Sequence, residues 1–443
     1  MVAAILSRLL AICVLGPLTI WAAAPASLKF VFGSGPTAGD FARVTADLTF
    51  NPERGYGFEP GAMLTNHAPE PTGPAHRSSV SGTAPFYFSA TVPAEGNYRV
   101  TVVLDNAAGK FPVTIKAELR RLMIENVAAS SDNTTTCTFI VNTRTPRIAP
   151  IGEITAGAVR LKAPRETTQE AWAWDKLLTL EFNGRAPAVS AVEIEPISVP
   201  TIFLLGDSTV CDQSREPYAS WGQMLPRFFK PLVAIANHAE SGETYRDSLD
   251  RRRLDKVISV MKPGDWLLLQ FGHNDQKQMA AGTGGPFTTY KEELRAHIAA
   301  VKKTGGHTLV LSPMERRGFD AQGKVVPSLA DYAQAACEVA TEEQVPFIDL
   351  NALSKLFYEA LGPEKSAQAF AAPEGKVDNT HHNNYGSYEL AKGIVAGIRG
   401  AKLELARYIV DDFSGFDSSN PDPFETFSVP PSPQFSNQRP LGD

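Results

Sequence analysis

Ser208 stands in Leu205-Gly206-Asp207-Ser208-Thr209-Val210, directly after the apolar run 201–205. An apolar run closed by a glycine predicts a buried strand that turns and presents a hydroxyl. Three more polar groupings follow: Ser241-Gly242, Gly272-His273-Asn274-Asp275 and Asp378-Asn379-Thr380-His381. A serine nucleophile needs a base for its proton and donors for the oxyanion that develops on the attacked carbonyl. His381 is the candidate base, then the acid that protonates the leaving alcohol, and Asp378 the group that orients its imidazole. Gly242 has no side chain, so its N–H can come close to a substrate oxygen. Asn274 offers an amide N–H from the other side, and the Ser208 N–H, expected at a helix N-terminus, is the third donor. This set points to serine-dependent ester hydrolysis.

The elements that must position these groups are legible in the hydrophobic pattern. From Thr201 onward, apolar runs at 201–205, 232–236, 265–271, 307–312 and 345–349 alternate with helical patterns, among them 290–303, 329–343 and 385–398. That alternation predicts an α/β unit, a five-stranded parallel sheet covered by helices. Ligands of such sheets bind beyond the carboxyl ends of the strands. Ser208, Gly242 and Asn274 each fall just past one such end, so they are expected to meet on one rim. Residues 27–198 read differently. Short strand-like runs at 28–32, 86–90, 98–104, 137–141 and 177–182 are punctuated by turns such as Glu95-Gly96-Asn97 and Asn183-Gly184. Strands without helical periodicity predict an all-β sandwich; the stretch 117–125 fits either a short helix or a strand. The segment 411–443, rich in Pro, Ser and Asn, is expected to be an extended surface tail or partly disordered. The expected division is a leader over 1–26, the β-sandwich over 27–198, the α/β unit over 199–410 and the tail over 411–443. As every candidate catalytic group lies after residue 200, a fragment starting near Ser198 is expected to keep its rate on a small ester and to lose efficiency on acetylated polysaccharide.

A chain of 443 residues suggests two or three folded units. A net charge of −6 without a long basic run argues against nucleic acid or an anionic membrane as partner. Arg251-Arg252-Arg253 is the one basic cluster, and its helical context predicts a solvated face. Residues 1–26 carry a basic residue, an apolar core and Ala22-Ala23-Ala24-Pro25-Ala26, the pattern of a secretory signal; an uncleaved anchor is the alternative. A secreted or periplasmic protein with no membrane partner after cleavage follows. Cys137, Cys211 and Cys337 form neither a disulfide framework nor a metal-ligand spacing, and three buried thiols is the plain reading. No cofactor and no metal are implied. His381 and His382 could ligate a metal with Asp378, but no further ligand cluster shares their spacing. His67, His76, His238, His297 and His307 have no evident partners and read as structural.

Gly206-Asp207-Ser208-Thr209-Val210, Asn237-x-Ala239-x-Ser241-Gly242, Phe271-Gly272-His273-Asn274-Asp275 and Asp378-x-Thr380-His381 resemble the four blocks of the SGNH (GDSL-type) hydrolases, and most closely those of rhamnogalacturonan acetylesterases. The resemblance covers about 201–400. It implies a flavodoxin-like sheet and removal of acetyl groups from pectic polysaccharide. It also implies Ser208, Asp378 and His381 as the catalytic residues and Ser208, Gly242 and Asn274 as the oxyanion hole. The β-rich unit is similar to galactose-binding-like sandwiches found beside such esterases. His382 departs from the apolar residue usual after the catalytic histidine. His273, Arg316 and Arg317 are candidates for binding an acetylated plant polysaccharide, since the arginines follow the strand 307–312; a structural ion pair is the other reading of either. Rival functions are an esterase for another acetylated glycan such as xylan, a lipase- or thioesterase-like hydrolase, and a non-catalytic carbohydrate-binding protein. Polar loop residues, such as Gln213, Arg215 and Glu216, speak against an acyl-chain pocket.

Overall fold

The computed structural model describes residues 27–35, 39–68, 78–105, 111–128, 134–436 and 440. The expected secretory leader lies outside the described residues.

Among the described residues, two largely antiparallel sheets form the first part of the chain, beside a two-stranded ribbon of Arg147–Ile148 and Gly157–Ala158. One orders its strands Thr134–Thr143, Gly96–Asp105, Ala188–Pro196, Leu28–Phe32 and Ala42–Val44, with Ser79–Gly82 and Leu64–His67 on its margin. The Leu28–Phe32/Ala42–Val44 pair alone is parallel within it. The other orders Tyr56–Phe58, Phe86–Thr91, Leu177–Asn183, Val113–Ala117 and Arg121–Val127. Alternate residues of each sheet turn inward, and Phe30 and Phe32 meet Phe88 edge-on with ring centroids 5.0 and 5.1 Å apart. This is the expected sandwich, with aromatic contacts at its centre. The ambiguous stretch 117–125 resolves into a tight turn, with Glu118 and Arg120 at positive φ, and the strand Arg121–Val127.

The second part holds five parallel strands: β1 (Thr201–Gly206), β2 (Ala234–Asn237), β3 (Trp266–Gln270), β4 (His307–Leu311) and β5 (Phe347–Ile348). Their order is β2-β1-β3-β4-β5, the flavodoxin-like arrangement, with its switch point between β1 and β3. Strands covered on both faces must be apolar throughout. Ile202, Leu204, Leu268, Leu309 and Leu311 join a core formed with helices Leu350–Lys365 and Asn384–Gly400. Phe203, Leu205, Leu267, Leu269 and Val310 join the opposite core, formed with Arg253–Val260, Lys291–Thr304 and Ala330–Glu342. No helix among the described residues is long and apolar enough to cross a membrane.

The junction between the sandwich and the parallel sheet is built from buried charge. Arg253, expected on a solvated face, is 1% exposed and forms a two-pronged pair with Glu166 at 3.0 and 2.6 Å. Its neighbours Arg251 and Arg252 donate to the carbonyls of Arg160 and Thr155. Arg120 donates to the carbonyls of Gln213 and Tyr218 and pairs with Glu216, and Arg121 meets Asp212 at 3.2 Å. The tail is extended as expected, but through Ser436 it is tied down. Lys116 Nζ donates to Pro430 O and Ser432 Oγ, both at 2.8 Å, and Ser432 N donates to Glu216 Oε1 at 2.8 Å. Cys137 and Cys211 are buried, whereas Cys337 is exposed, so the reading of three buried thiols fails at Cys337. It lies on helix Ala330–Glu342, outside the buried stripe of Tyr332, Ala335, Ala336, Val339 and Ala340.

Candidate active site

β1 ends in Gly206, where a Cβ would come within 2.4 Å of Val210 Cγ2 and 2.6 Å of Gln270 O. Only glycine lets the chain turn that close to β3. The turn closes with Val210 N and Cys211 N both donating to Asp207 O at 3.0 Å. Ser208 therefore lies in a hydrogen-bonded turn, and the next helix does not begin until Trp221. The expectation of a helix N-terminus at Ser208 is corrected: its N–H gains nothing from a helix dipole.

A relay runs from this turn to the loop before the last long helix. Ser208 Oγ lies 2.9 Å from His381 Nε2, and His381 Nδ1 lies 3.0 Å from Asp378 Oδ2. Asp378 Oδ1 accepts the N–H groups of Thr380 (2.8 Å) and His381 (3.0 Å), which fixes the carboxylate against its own loop. Ser208 and His381 are each 1% exposed. In so dry a setting each of these hydrogen bonds is stronger than it would be in water.

Gly242 adopts φ +74°, in the left-handed region that favours glycine. Two contacts tie its turn to the next block. Asn274 Nδ2 donates to Glu243 O at 3.0 Å, and Tyr245 N donates to Asp275 Oδ1 at 3.2 Å. One of the two Asn274 amide hydrogens is thus committed to holding the loops together. Burial pushes the Asp275 carboxyl well up, with the nearby Asp207 charge adding to it.

Behind Ser208 lies a polar network that the sequence blocks do not announce. Trp221 Nε1 donates to Gln270 Oε1 (2.8 Å), Gln270 Nε2 to Thr209 Oγ1 (2.9 Å), and Thr209 N and Oγ1 to Asp207 Oδ1 (2.9 and 2.7 Å). Asp207 Oδ2 faces His273 Nδ1 at 3.2 Å. Burial alone would raise the Asp207 carboxyl, but the His273 ring and the Thr209 donors outweigh it and hold it below the usual range.

The candidate binding residues separate. His273 is 1% exposed, and its Nε2 has no hydrogen-bond partner among the described residues. It borders a cleft of about 500 Å³ whose walls include Gln276, Lys277, Arg316, Ser328 and Tyr332. Arg316 reaches from this cleft to Thr380 Oγ1, one residue before His381, and to His273 O. Arg317 turns elsewhere: it donates to Ser366 Oγ, Asn379 Oδ1 and Pro363 O. It fits the structural reading of that residue, though the partners described are neutral and no ion pair forms among the described residues. His382, the departure from the apolar pattern, is buried. Its ring lies 4.3 Å from that of Phe370, and its Nε2 meets Tyr358 OH at 2.7 Å. Burial, with the positive character of His381 and His273, pushes it down to about 3, so it is a neutral aromatic filler. No group of three or more His, Cys, Asp or Glu side chains among the described residues could hold a metal ion.

A family model described as GDSL-like lipase/acylhydrolase matches residues 204–387. Rhamnogalacturonan acetylesterase RhgT of Bacillus subtilis is 36% identical over 220 residues, 47% of this chain and 94% of RhgT. The uncharacterised esterase YxiM of the same organism is 27% identical over 408 residues, 88% of this chain and 95% of YxiM. The solved YxiM structure covers 86% of this chain and 99% of its own, with 25% identity and a TM-score of 0.46. By its sequence blocks and by its likeness to nearly the full length of RhgT, the chain belongs to the GDSL-like lipase/acylhydrolase family.

Proposed function

We propose that the chain is a secreted or periplasmic carbohydrate esterase that removes acetyl groups from an acetylated pectic polysaccharide of the rhamnogalacturonan type. The observation that carries this reading is the relay Ser208 Oγ–His381 Nε2 at 2.9 Å and His381 Nδ1–Asp378 Oδ2 at 3.0 Å. In the reaction, Ser208 Oγ attacks the acetyl carbonyl carbon as its proton passes to His381 Nε2. The carbonyl electron pair moves onto oxygen, held by the N–H groups of Ser208 and Gly242 and by the second amide hydrogen of Asn274. Collapse of that intermediate breaks the bond to the sugar oxygen, which takes the proton from His381. Water, deprotonated by the same imidazole, then attacks the acetyl-serine. Acetate leaves and Oγ regains its proton. Asp378 keeps Nδ1 protonated and stabilises the imidazolium formed in each half. The acetyl-pectin assignment draws support from RhgT, whose length this chain nearly covers. Polar residues such as Gln276, Lys277 and Arg316 along the cleft suit hydroxyl-rich saccharide better than an acyl chain. Acetate release across acetylated rhamnogalacturonan, acetylated xylan and p-nitrophenyl acetate tests the reading. Ser208→Ala should abolish turnover on all of them, by roughly 10⁴-fold or more. A Ser208→Ala protein that keeps a tenth of its rate refutes the mechanism, and a preference for xylan refutes the substrate.

A further inference from the structure

We propose that Arg165 and Lys162, which precede residue 198 and lie in the polypeptide of the sandwich, are positioning residues for ester turnover. They brace both walls of the site, the nucleophile turn and the Gly242 turn. The inference rests on the ester-hydrolase reading above.

Between Val159 and the strand Leu177–Asn183 the chain leaves the sandwich and forms a short helical turn, Arg165–Gln169. The Arg165 guanidinium enters the space behind the site. Its Nε donates to Glu240 Oε1 at 2.9 Å, and Nη2 donates to Ser241 Oγ at 2.8 Å and Gln213 Oε1 at 3.2 Å. Glu170, within 2.6 Å of Nη2, holds it from its own side. Gln213 passes the constraint on, because its Nε2 donates to Ser208 O at 2.7 Å. One planar group therefore sets the distance between the peptide of the nucleophile and the residue preceding Gly242. Lys162 Nζ adds a second grip, donating to Ser241 O and pairing with Glu243 Oε1 at 2.8 Å. Neither cation touches Ser208 Oγ, His381 or Asp378 among the contacts described, so the two act through the backbone of the turns.

Glu240, Ser241 and Gln213 are buried, so truncating Arg165 leaves their polar atoms short of a donor fixed in one geometry. Oxyanion stabilisation depends on N–H groups preset at hydrogen-bond distance from where the charge will form, and a shift of about 1 Å in such a constellation costs on the order of 100-fold. Ground-state binding of a polymer makes no such demand on these two N–H groups. The braces should therefore act on kcat and leave KM nearly unchanged.

The test uses the full chain and p-nitrophenyl acetate, with active sites counted by the nitrophenolate burst from diethyl p-nitrophenyl phosphate. Arg165→Met should lower turnover per titrated site by about 100-fold with KM within about twofold, Lys162→Met by about 10-fold, and Arg165→Lys should recover part of the loss. Arg227→Gln, which breaks a pair with Glu125 elsewhere on the junction, should lower the melting temperature and leave turnover per site within about twofold. Should Arg165→Met fold too poorly to titrate, Lys162→Met and Arg165→Lys carry the test. Unchanged turnover per titrated site in Lys162→Met and Arg165→Lys, or an equal loss in Arg227→Gln, overturns the proposal. A wild-type protein without any burst would instead overturn the ester-hydrolase reading.

Discussion

Replacing Glu166 by Gln should destabilise the whole protein more than any surface change could. Glu166 is fully buried and accepts Arg253 on both oxygens, Trp174 Nε1 at 3.0 Å and Lys162 N at 2.7 Å. Burial alone would raise its carboxyl, but Arg253 outweighs that and holds it low, so it is ionised at neutral pH. The amide keeps the shape but strands the Arg253 guanidinium, whose remaining acid, Glu243, is 3.5 Å from Nε. Stranding one member of a buried pair costs about 3–5 kcal/mol, a large share of the ~5–15 kcal/mol that a folded protein has. If both units melt together, the unfolding entropy is on the order of 0.9 kcal/mol/K and the melting temperature drops by about 3–6 °C. If the parallel-sheet unit melts alone, the entropy is roughly halved and the drop is about twice as large. Arg253→Met alone should cost a similar amount, while the double variant removes both charges and should fall short of the sum by ~2 kcal/mol or more. Circular dichroism, together with tryptophan fluorescence, to which Trp174 contributes, would follow the melts. Single variants costing under ~1 kcal/mol, or strict additivity in the double, would refute the claim that this junction is held by a desolvated ion pair.

Asn274→Ala, which removes both the proposed oxyanion donor and the tie to Glu243 O, should lower kcat on p-nitrophenyl acetate by at least about 10²–10³-fold; a loss under tenfold would exclude Asn274 as a donor. Acid should weaken the fold through three buried histidines, since burial pushes His238 well down, His297 down to about 4 and His382 to about 3. Unfolded histidine titrates near ~6.5, so the unfolded state binds more protons below that pH and stability falls as pH drops from ~6.5 towards 4. His382→Phe should flatten that slope by about 3 kcal/mol across the interval in urea melts, and an unchanged slope would mean His382 titrates normally. Of Cys137, Cys211 and Cys337, only Cys337 should react with a thiol reagent in the native protein. Cys137 is pushed up to about 11 by burial, and Cys211 well above its usual range by burial and then by Glu240; fast labelling of either would contradict their packing.

The candidate catalytic blocks were legible because each lies at a place where the pattern changes. Gly206 and Gly272 close apolar runs, Gly242 falls in the polar stretch after one, and a polar residue at the carboxyl end of a parallel strand has few structural reasons to be there. The strand and helix patterns of the α/β unit were legible for the same reason: strands buried on both faces read as unbroken apolar runs. What escaped was everything held by partners far apart in sequence. Nothing around Arg165 marks it as belonging beside Ser241, 76 positions away. Arg253 sits in an amphipathic stretch, and only the arrival of Glu166 turns a solvated position into a buried one. The helix N-terminus assigned to Ser208 failed because the segment after it turns tightly, held by Asp207 O, and runs on without helix to Trp221. His382 looked polar by type, yet Phe370 and Tyr358 make room for it as an aromatic ring with one satisfied nitrogen.

A fragment from Ser198 onward, first expected to keep its small-ester rate, should instead lose most of it if Arg165 and Lys162 brace the site as proposed, for a reason that follows from charge. Glu240 and Glu243 flank the Gly242 turn in the α/β unit, yet Arg165 and Lys162, which hold them, come from the sandwich polypeptide. Burial pushes the Glu243 carboxyl up even with Arg253 and Lys162 beside it. In a fragment without residues 27–198 these acids would face water, where hydration stabilises them in many geometries instead of one. The loss would then fall on geometry more than on folding. The turn that must present the Gly242 N–H would still exist, but its position relative to the Ser208 peptide would no longer be set by a guanidinium bonded to both. The excursion that carries Lys162 and Arg165 out of the sandwich is thereby read as a brace behind the site.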